Sequence, residues 1–395
     1  MPDSRTDFAL LRPEEIDVAP LRGGMVDWVE METPSDRPDL IGRLLDRVEA
    51  GFAGLGVDIT RHAPREGCGG HMTIRYAPPG TEGKAPVAMI GHVDTVWAAG
   101  TLDRRPVRRD GDRLYGPGIY DMKAGSYLVT ETVRRLASAG ETPPRPLVVL
   151  LNSDEEIGSP TSQALIETLA AEAAFVLVPE PGIGPEAAVV TARKGWGRFD
   201  ITASGRSSHA GGNLHDGRSA IREICRQVLD IEAMTGSEPG ATFNVGTIHG
   251  GTRRNVVPAE AEIAVDMRFA DTPSGKRLVE RVLGLQSYDP DVRLKIEGGM
   301  NRPAFERNAA VTRLYEATRR LAERIGVNLP ETSRGGVSDG NFAAALGKPV
   351  LDGLGCGGAG AHAEDEHILI STIAPRAALL RNILMSAAFQ IEVVR

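Results

Sequence analysis

The run Pro86-Val87-Ala88-Met89-Ile90-Gly91-His92-Val93-Asp94-Thr95-Val96 passes within a few residues from an apolar segment to a histidine and an aspartate. Its first half has the length and composition of a short buried strand. Side chains two apart on extended chain leave on the same side, so His92 and Asp94 would project together from the strand end. A carboxylate beside a neutral imidazole fixes the tautomer and orientation of a ligating histidine. One such pair is weak evidence, because solvated loop ends often have this composition. Its meaning depends on how the other strands end.

They end alike. Pro146-Leu147-Val148-Val149-Leu150-Leu151 is a continuous apolar run that terminates in Asn152-Ser153-Asp154-Glu155-Glu156. Phe175-Val176-Leu177-Val178 terminates in Pro179-Glu180-Pro181, and Pro349-Val350-Leu351 opens into a glycine-rich loop leading to His362. Between the first two runs, a loop over 114–125 carries Asp121 and opens a helix over 126–139. Helical spacing also marks 13–30, 38–54 and 161–172; in the second of these Leu40, Ile41, Leu44, Leu45 and Val48 share a face, and Gly51 follows as a stop. Buried apolar strands alternating with helices predict an α/β fold with a parallel or mixed sheet, whose ligands gather at the carboxyl ends of the strands.

The middle of the chain reads differently. Phe199–Ala203 and the stretch Glu262–Phe269 alternate apolar with polar, as strands with one wet face do, and this places Arg268 on the wet side. Ile221, Ile224, Cys225, Val228 and Leu229 form one helical face, a second helix falls near 274–286, and a strand near 291–297 completes a β-α-β-β-α-β order. The expectation is a mixed-sheet α/β domain over 1–190 and 305–395, interrupted by a ferredoxin-like α+β domain over 191–304.

Composition narrows the function classes. The 395 residues carry a net charge of -8 with no lysine or arginine run, which argues against nucleic acid or an anionic membrane as partner. Cys68, Cys225 and Cys356 show no Cys-x-x-Cys spacing, which excludes a thiolate zinc site and suits a reducing compartment. With no signal pattern at the N-terminus and no long apolar run, a soluble cytoplasmic protein is expected.

Histidines and carboxylates without cysteine suit zinc, or a similar ion, in a catalytic role. If His92, Asp121, Glu156, Glu180 and His362 held two divalent ions, three carboxylates would leave the cluster one charge positive. A shared water would then be acidified into the nucleophile of paired-metal hydrolases. Glu155, adjacent to a ligand but spare, is the natural general base. The segment Ala361-His362-Ala363-Glu364-Asp365-Glu366-His367 offers two histidines, and the residues alone leave open which one binds. Gly353-x-Gly355-x-x-Gly358 matches a dinucleotide fingerprint but opens toward His362 rather than into a helix, so a nucleotide reading fails its context.

Four motifs occur in order: Gly91-His92-Val93-Asp94-Thr95-Val96, Gly116-x-Gly118-x-x-Asp121-Met122-Lys123-x-Gly125, Asp154-Glu155-Glu156-x-Gly158-Ser159 and Ser208-His209-Ala210-Gly211. Together they resemble the zinc-dependent aminoacylase/glutamate carboxypeptidase family, most of all its folate-hydrolysing glutamate carboxypeptidase branch. The resemblance implies a di-zinc catalytic domain and a lid domain through which such enzymes commonly form homodimers. It assigns one zinc to His92, Asp121 and Glu180 and the other to Asp121, Glu156 and His362. Asp94 would stand behind His92, and a cis peptide would follow Asp121. Position relative to the acidic pair favours His362 over His367. The resemblance gives His209 a role in polarising the scissile carbonyl from a partner subunit, and it makes Asn255 a substrate-facing residue of the lid. Arg302 corresponds to an arginine of the carboxypeptidase branch, and its guanidinium, like that of Arg268, suits a substrate carboxylate. Asp339 lies in a loop resembling one at the pocket rim.

The expected activity is hydrolysis of an amide bond to a C-terminal amino acid by a water shared between the metals, with lid closure hinged near 189–193 and 303–307. The rivals are an N-acyl-amino-acid deacylase, an aminopeptidase, which would need an acidic pocket, and an inactive metal-dependent binding protein.

Overall fold

Two compact units make up the chain: one runs to Ala192 and resumes at Arg307–Ser333 and from Ser338 on, and the other comprises Arg193–Glu306 and Arg334–Val337. The structure, a computed structural model, describes residues 9–394. Residues 334–337, expected in the first unit, lie in the second.

The first unit is built on a six-stranded sheet in the order Asp58–His62, His71–Tyr76, Leu147–Asn152, Val87–His92, Phe175–Leu177 and Val350–Leu351. The last four are mutually parallel, and the first two form an antiparallel edge. Leu147–Asn152 and Val87–His92 are buried at every residue, so both faces of the sheet are covered, as continuous apolar runs require. In register His92 lies opposite Asn152 and Met89 opposite Leu177, which brings the chemically active strand ends to one edge. A smaller sheet pairs Gly357–Ala359 with His367–Leu369 and the latter with Arg113–Tyr115. The segment 360–366, with His362, is therefore the tip of a hairpin.

The helices follow from local chemistry. Pro38–Gly51 starts on a proline at its first turn and buries Ile41, Leu44, Leu45 and Val48. The expected helix over 13–30 is interrupted: a single turn at Pro13–Glu15 precedes the helix Val18–Glu30, which Asp17 caps through the Ala19 N–H. Asp121 sits in a distorted turn, Ile119–Lys123, feeding the helix Ala124–Ser138, and the Asp121–Met122 peptide is cis. At Gly125 a β-carbon would stand 1.8 Å from the Pro179 carbonyl oxygen. The missing side chain lets this helix start lie directly against the segment that carries Glu180.

The second unit has the expected β-α-β-β-α-β order, with strands arranged Thr242–Gly250, Glu260–Phe269, Gly195–Ser204 and Arg293–Arg302. Burial alternates along the two central strands, and the buried face forms a core with helices Ala220–Glu232 and Thr272–Leu283. One detail corrects the sequence reading. Cys225 is exposed, as are Ile221 and Leu229, at 38% and 69%. The helix instead buries Ala220, Glu223, Ile224, Gln227 and Ile231. The Glu223 carboxylate earns its place inside by accepting bonds from Gln227 Nε2 and the Tyr288 and Asp289 N–H groups, so a polar side chain occupies a core position.

Candidate metal centre

His92 ends its strand with a ring that is 1% exposed. Its Nδ1 lies 3.0 Å from the Asp94 carbonyl oxygen, an acceptor only, so Nδ1 keeps its proton when the ring is neutral and Nε2 is the nitrogen left to ligate. That Nε2 is 3.3 Å from Asp121 Oδ1 and 3.8 Å from Glu180 Oε1, yet it is buried without a hydrogen bond. Asp94 thus orients His92 chiefly through its backbone; its carboxylate, 3.4 Å away, accepts from Ser35 Oγ at 2.7 Å and from the Glu155 and Glu156 N–H groups at 3.3 and 3.2 Å. This fully buried carboxylate ties the end of one strand to the turn that follows the next.

The other oxygen of Asp121 serves a second group. Oδ2 lies 3.4 Å from His362 Nε2, which is also 3.1 Å from Glu156 Oε2. Glu156 Oε1 is buried and makes no hydrogen bond. The donor atoms of His92, Asp121 and Glu180, and likewise those of Asp121, Glu156 and His362, all lie within 4.8 Å of one another. Donors about 2.0–2.1 Å from a tetrahedral zinc are about 3.3 Å apart, so this spacing, with His92 Nε2 and Glu156 Oε1 buried and without a hydrogen bond, fits a cation in each group. His367 does not join them: it pairs in the sheet, stacks near Tyr115 and bonds through Nδ1 to the Asp365 carbonyl.

The electrostatics agree. Held between the carboxylates of Asp121 and Glu156, the His362 ring is raised to about 10. Burial pulls the other way on His92, but Asp121 and Asp94 outweigh it and raise this ring well above its ordinary value. Burial alone would raise Asp121; the two histidines instead hold it below the usual carboxylate range. Burial raises Glu156. Protons and cations therefore compete for the same lone pairs.

Glu155 shares its short turn with Glu156 but stands outside both donor groups. In the second unit, His209 is exposed, and its Nδ1 accepts the Gly211 and Gly212 N–H groups, each at 3.1 Å. N–H groups can only donate, so the neutral ring carries its proton on Nε2, as an outward donor. Asn255 lies beside it, its carbonyl accepting the Ala210 N–H. Arg268 and Arg302 both sit opposite Trp196 in the sheet. Arg268 is held in a fork by Asp266, at 2.9 Å through each nitrogen, and Arg302 is 1% exposed with Nη1 on Asn301 Oδ1. Asp339 accepts from Ser159 Oγ and Asn152 Nδ2 within the first unit.

Sequence reasoning gives no role to Arg105 or Glu366, and none beyond packing to Trp97. Glu366 belongs to an acidic triplet that reads as solvated, yet it is 1% exposed, and burial lifts its carboxyl to about 7. No local pattern announces this. The neighbouring Lys123 gave no sign either: its buried Nζ donates to the Met31 carbonyl at 2.9 Å, and burial lowers it to about 7.

Comparison with known proteins follows the same line. The chain is 30% identical over 363 residues to carboxypeptidase G2 of a Pseudomonas species, covering 90% of this chain and 86% of that one. It is 30% identical over 336 residues to the acetylornithine deacetylase of Myxococcus xanthus, covering 79% and 83%. In structure it resembles aminopeptidase PepT from Bacillus cereus with a TM-score of 0.75 at 20% identity, over 94% of this chain and 99% of the other. The family model for peptidase family M20/M25/M40 matches residues 88–386, which span the strand ends, the lid strands and the His362 hairpin. The chain belongs to peptidase family M20/M25/M40.

Proposed function

We propose that the protein hydrolyses the amide bond joining an acyl group to an amino acid with a free carboxylate, in the manner of a glutamate carboxypeptidase. The observation that carries this reading is the pair of donor groups sharing Asp121, with a further carboxylate, Glu155, next to a donor of one of them and outside both groups. Enzymes of the family use two zinc ions. His92, Asp121 and Glu180 would hold one and Asp121, Glu156 and His362 the other. When bound, the ions supply Lewis acidity and bring a water near neutral acidity.

The chain's own groups do the rest. Glu155 accepts a proton from water as its oxygen adds to the carbonyl carbon, then returns that proton to the amide nitrogen as the C–N bond breaks. The Nε2–H of His209, reaching from a partner subunit, donates to the oxygen on which charge develops. Arg302, Arg268 or both hold the substrate carboxylate, and Asn255 faces the substrate beside His209. Glu155→Gln should lower kcat by about 10²–10⁴-fold with zinc content unchanged; intact turnover with zinc bound overturns this role.

A deacylase reading has support in the similarity to acetylornithine deacetylase. A panel of N-acyl-glutamates, N-acyl-aspartates, N-acetylornithine and simple dipeptides separates the two. Preference for a C-terminal acidic residue supports the carboxypeptidase reading. Preference for small acyl groups whatever the amino acid replaces it with the deacylase reading.

The proposal includes a homodimer formed through the second unit. Its support is an exposed apolar strip: Ile221 and Leu229 two turns apart on one helix, and Ile248, 52% exposed, on the adjoining edge strand Thr242–Gly250. The three unpaired cysteines support a cytoplasmic location. Among the described residues no single helix is long and apolar enough to cross a membrane.

A further inference from the structure

His362 is the one donor of the centre delivered by a hairpin tip, and its backbone lies in the left-handed region, with φ 62. A side chain with a β-carbon stays there only where its surroundings fix it. Within the tip, the Ala363 N–H bonds to the Gly360 carbonyl at 2.8 Å and the Glu366 N–H to the Ala363 carbonyl at 3.1 Å. A further hold comes from outside the hairpin. Arg105 Nη2 donates to the carbonyls of Ala363, at 3.2 Å, and Glu364. These are the two residues that follow His362.

Arg105 is itself set in place. Its guanidinium lies 4.3 Å over the Trp97 ring, a cation–π stack. Trp97 Nε1 donates to Glu366 Oε2 at 2.7 Å. The Glu366 carboxylate in turn accepts the Gly118, Tyr120 and Asp121 N–H groups at 2.8, 3.0 and 3.1 Å. Glu32 fixes the turn between Trp97 and Arg105 by accepting the Gly100 and Leu102 N–H groups. A continuous chain of contacts thus runs from the backbone of the shared Asp121 to the loop of His362. Glu366 grips the residue that serves both donor groups, whereas Arg105 grips only the loop that serves one.

We propose that Arg105, stacked on Trp97, is a positioning residue for His362 that sets cation affinity at the Asp121–Glu156–His362 group and leaves the His92–Asp121–Glu180 group alone. This rests on the metal-centre reading above. Partners that orient a ligand from behind change metal affinity by about 10–100-fold when lost. The effect here is confined to one of the two cations.

The test is zinc titration of chelator-stripped protein, followed by calorimetry and by competition with a chromophoric chelator. Arg105→Met keeps an unbranched stem against Trp97 and removes the donors. It should weaken one binding step about 10–100-fold and leave the other within about twofold. Arg105→Lys, with a point charge instead of a fork, should recover part of the loss. The exposed neighbour variant Arg104→Ala should move neither step. If wild type binds two zinc ions and Arg105→Met leaves both steps unmoved, or weakens both equally, this proposal fails alone. If wild type binds fewer than two, the paired-centre reading fails and takes this proposal with it.

Discussion

Asp121 joins the two donor groups, because each of its carboxylate oxygens faces a different histidine. Single side chains around it separate binding from catalysis. The two arginines proposed for the substrate carboxylate are both engaged already, Arg268 by Asp266 through two nitrogens and the buried Arg302 by Asn301 through Nη1. Hydrogen bonds to charged groups contribute about 1.5–3 kcal/mol, so Arg302→Leu should raise KM by about 10–100-fold with a smaller effect on kcat, read by steady-state kinetics. An unchanged KM would remove Arg302 from substrate recognition. For His209, whose Nδ1 is engaged by two N–H groups, His209→Ala should lower kcat about 10²–10³-fold while zinc content holds.

At the scale of elements, the site depends on backbones approaching more closely than side chains would allow. The start of the Ala124–Ser138 helix abuts the Pro179 carbonyl at Gly125, and the Gly355 N–H bonds to the Glu180 carbonyl at 2.8 Å, where a β-carbon would come within 2.7 Å. Both contacts brace the segment bearing Glu180. Gly125→Ala must push the Asp121 and Glu180 segments apart. Overpacking of this kind costs about 1–3 kcal/mol, visible as a lower Tm, and should weaken zinc binding as well. A stable variant with normal affinity would show that the segments yield independently. The His362 hairpin adds side-chain contacts to its own backbone bonds: Arg105 reaches the Ala363 and Glu364 carbonyls from outside it.

For the whole molecule, metal, proton and stability are linked. Metal-free His362 is raised to about 10 by two carboxylates and His92 is raised well above its ordinary value, so both rings are protonated near neutrality and a cation must displace those protons. Zinc affinity should therefore rise with pH across the range below about 10, and binding should release protons. Calorimetry in buffers of different ionisation enthalpy measures that release; its absence would mean the rings are already neutral. Zinc at 100 times its Kd should stabilise the fold by about 2.7 kcal/mol per site, so chelation should lower Tm. If the exposed strip on the second unit is the dimer surface, Leu229→Glu should give monomers in sedimentation while the unit stays folded.

The α/β architecture, the β-α-β-β-α-β insertion and the strand ends bearing His92, Glu156 and Glu180 were legible in the linear sequence. They are written in local patterns: buried strands are continuous apolar runs, half-wet strands alternate, and polar donors begin where a run stops. Other features were decided by the tertiary structure alone. Which face of the Ala220–Glu232 helix is buried depends on Glu223 finding three donors, two of them in a distant loop. The choice of His362 over His367, which the resemblance favours but the residues alone leave open, follows from the pairing of Ala359 with His367, which leaves His362 at the tip. The roles of the half-buried Trp97 and Arg105 and the buried Glu366 join segments far apart in the chain. A hydrogen bond between such segments leaves no periodicity in the residues that make it, so only the folded chain reveals it.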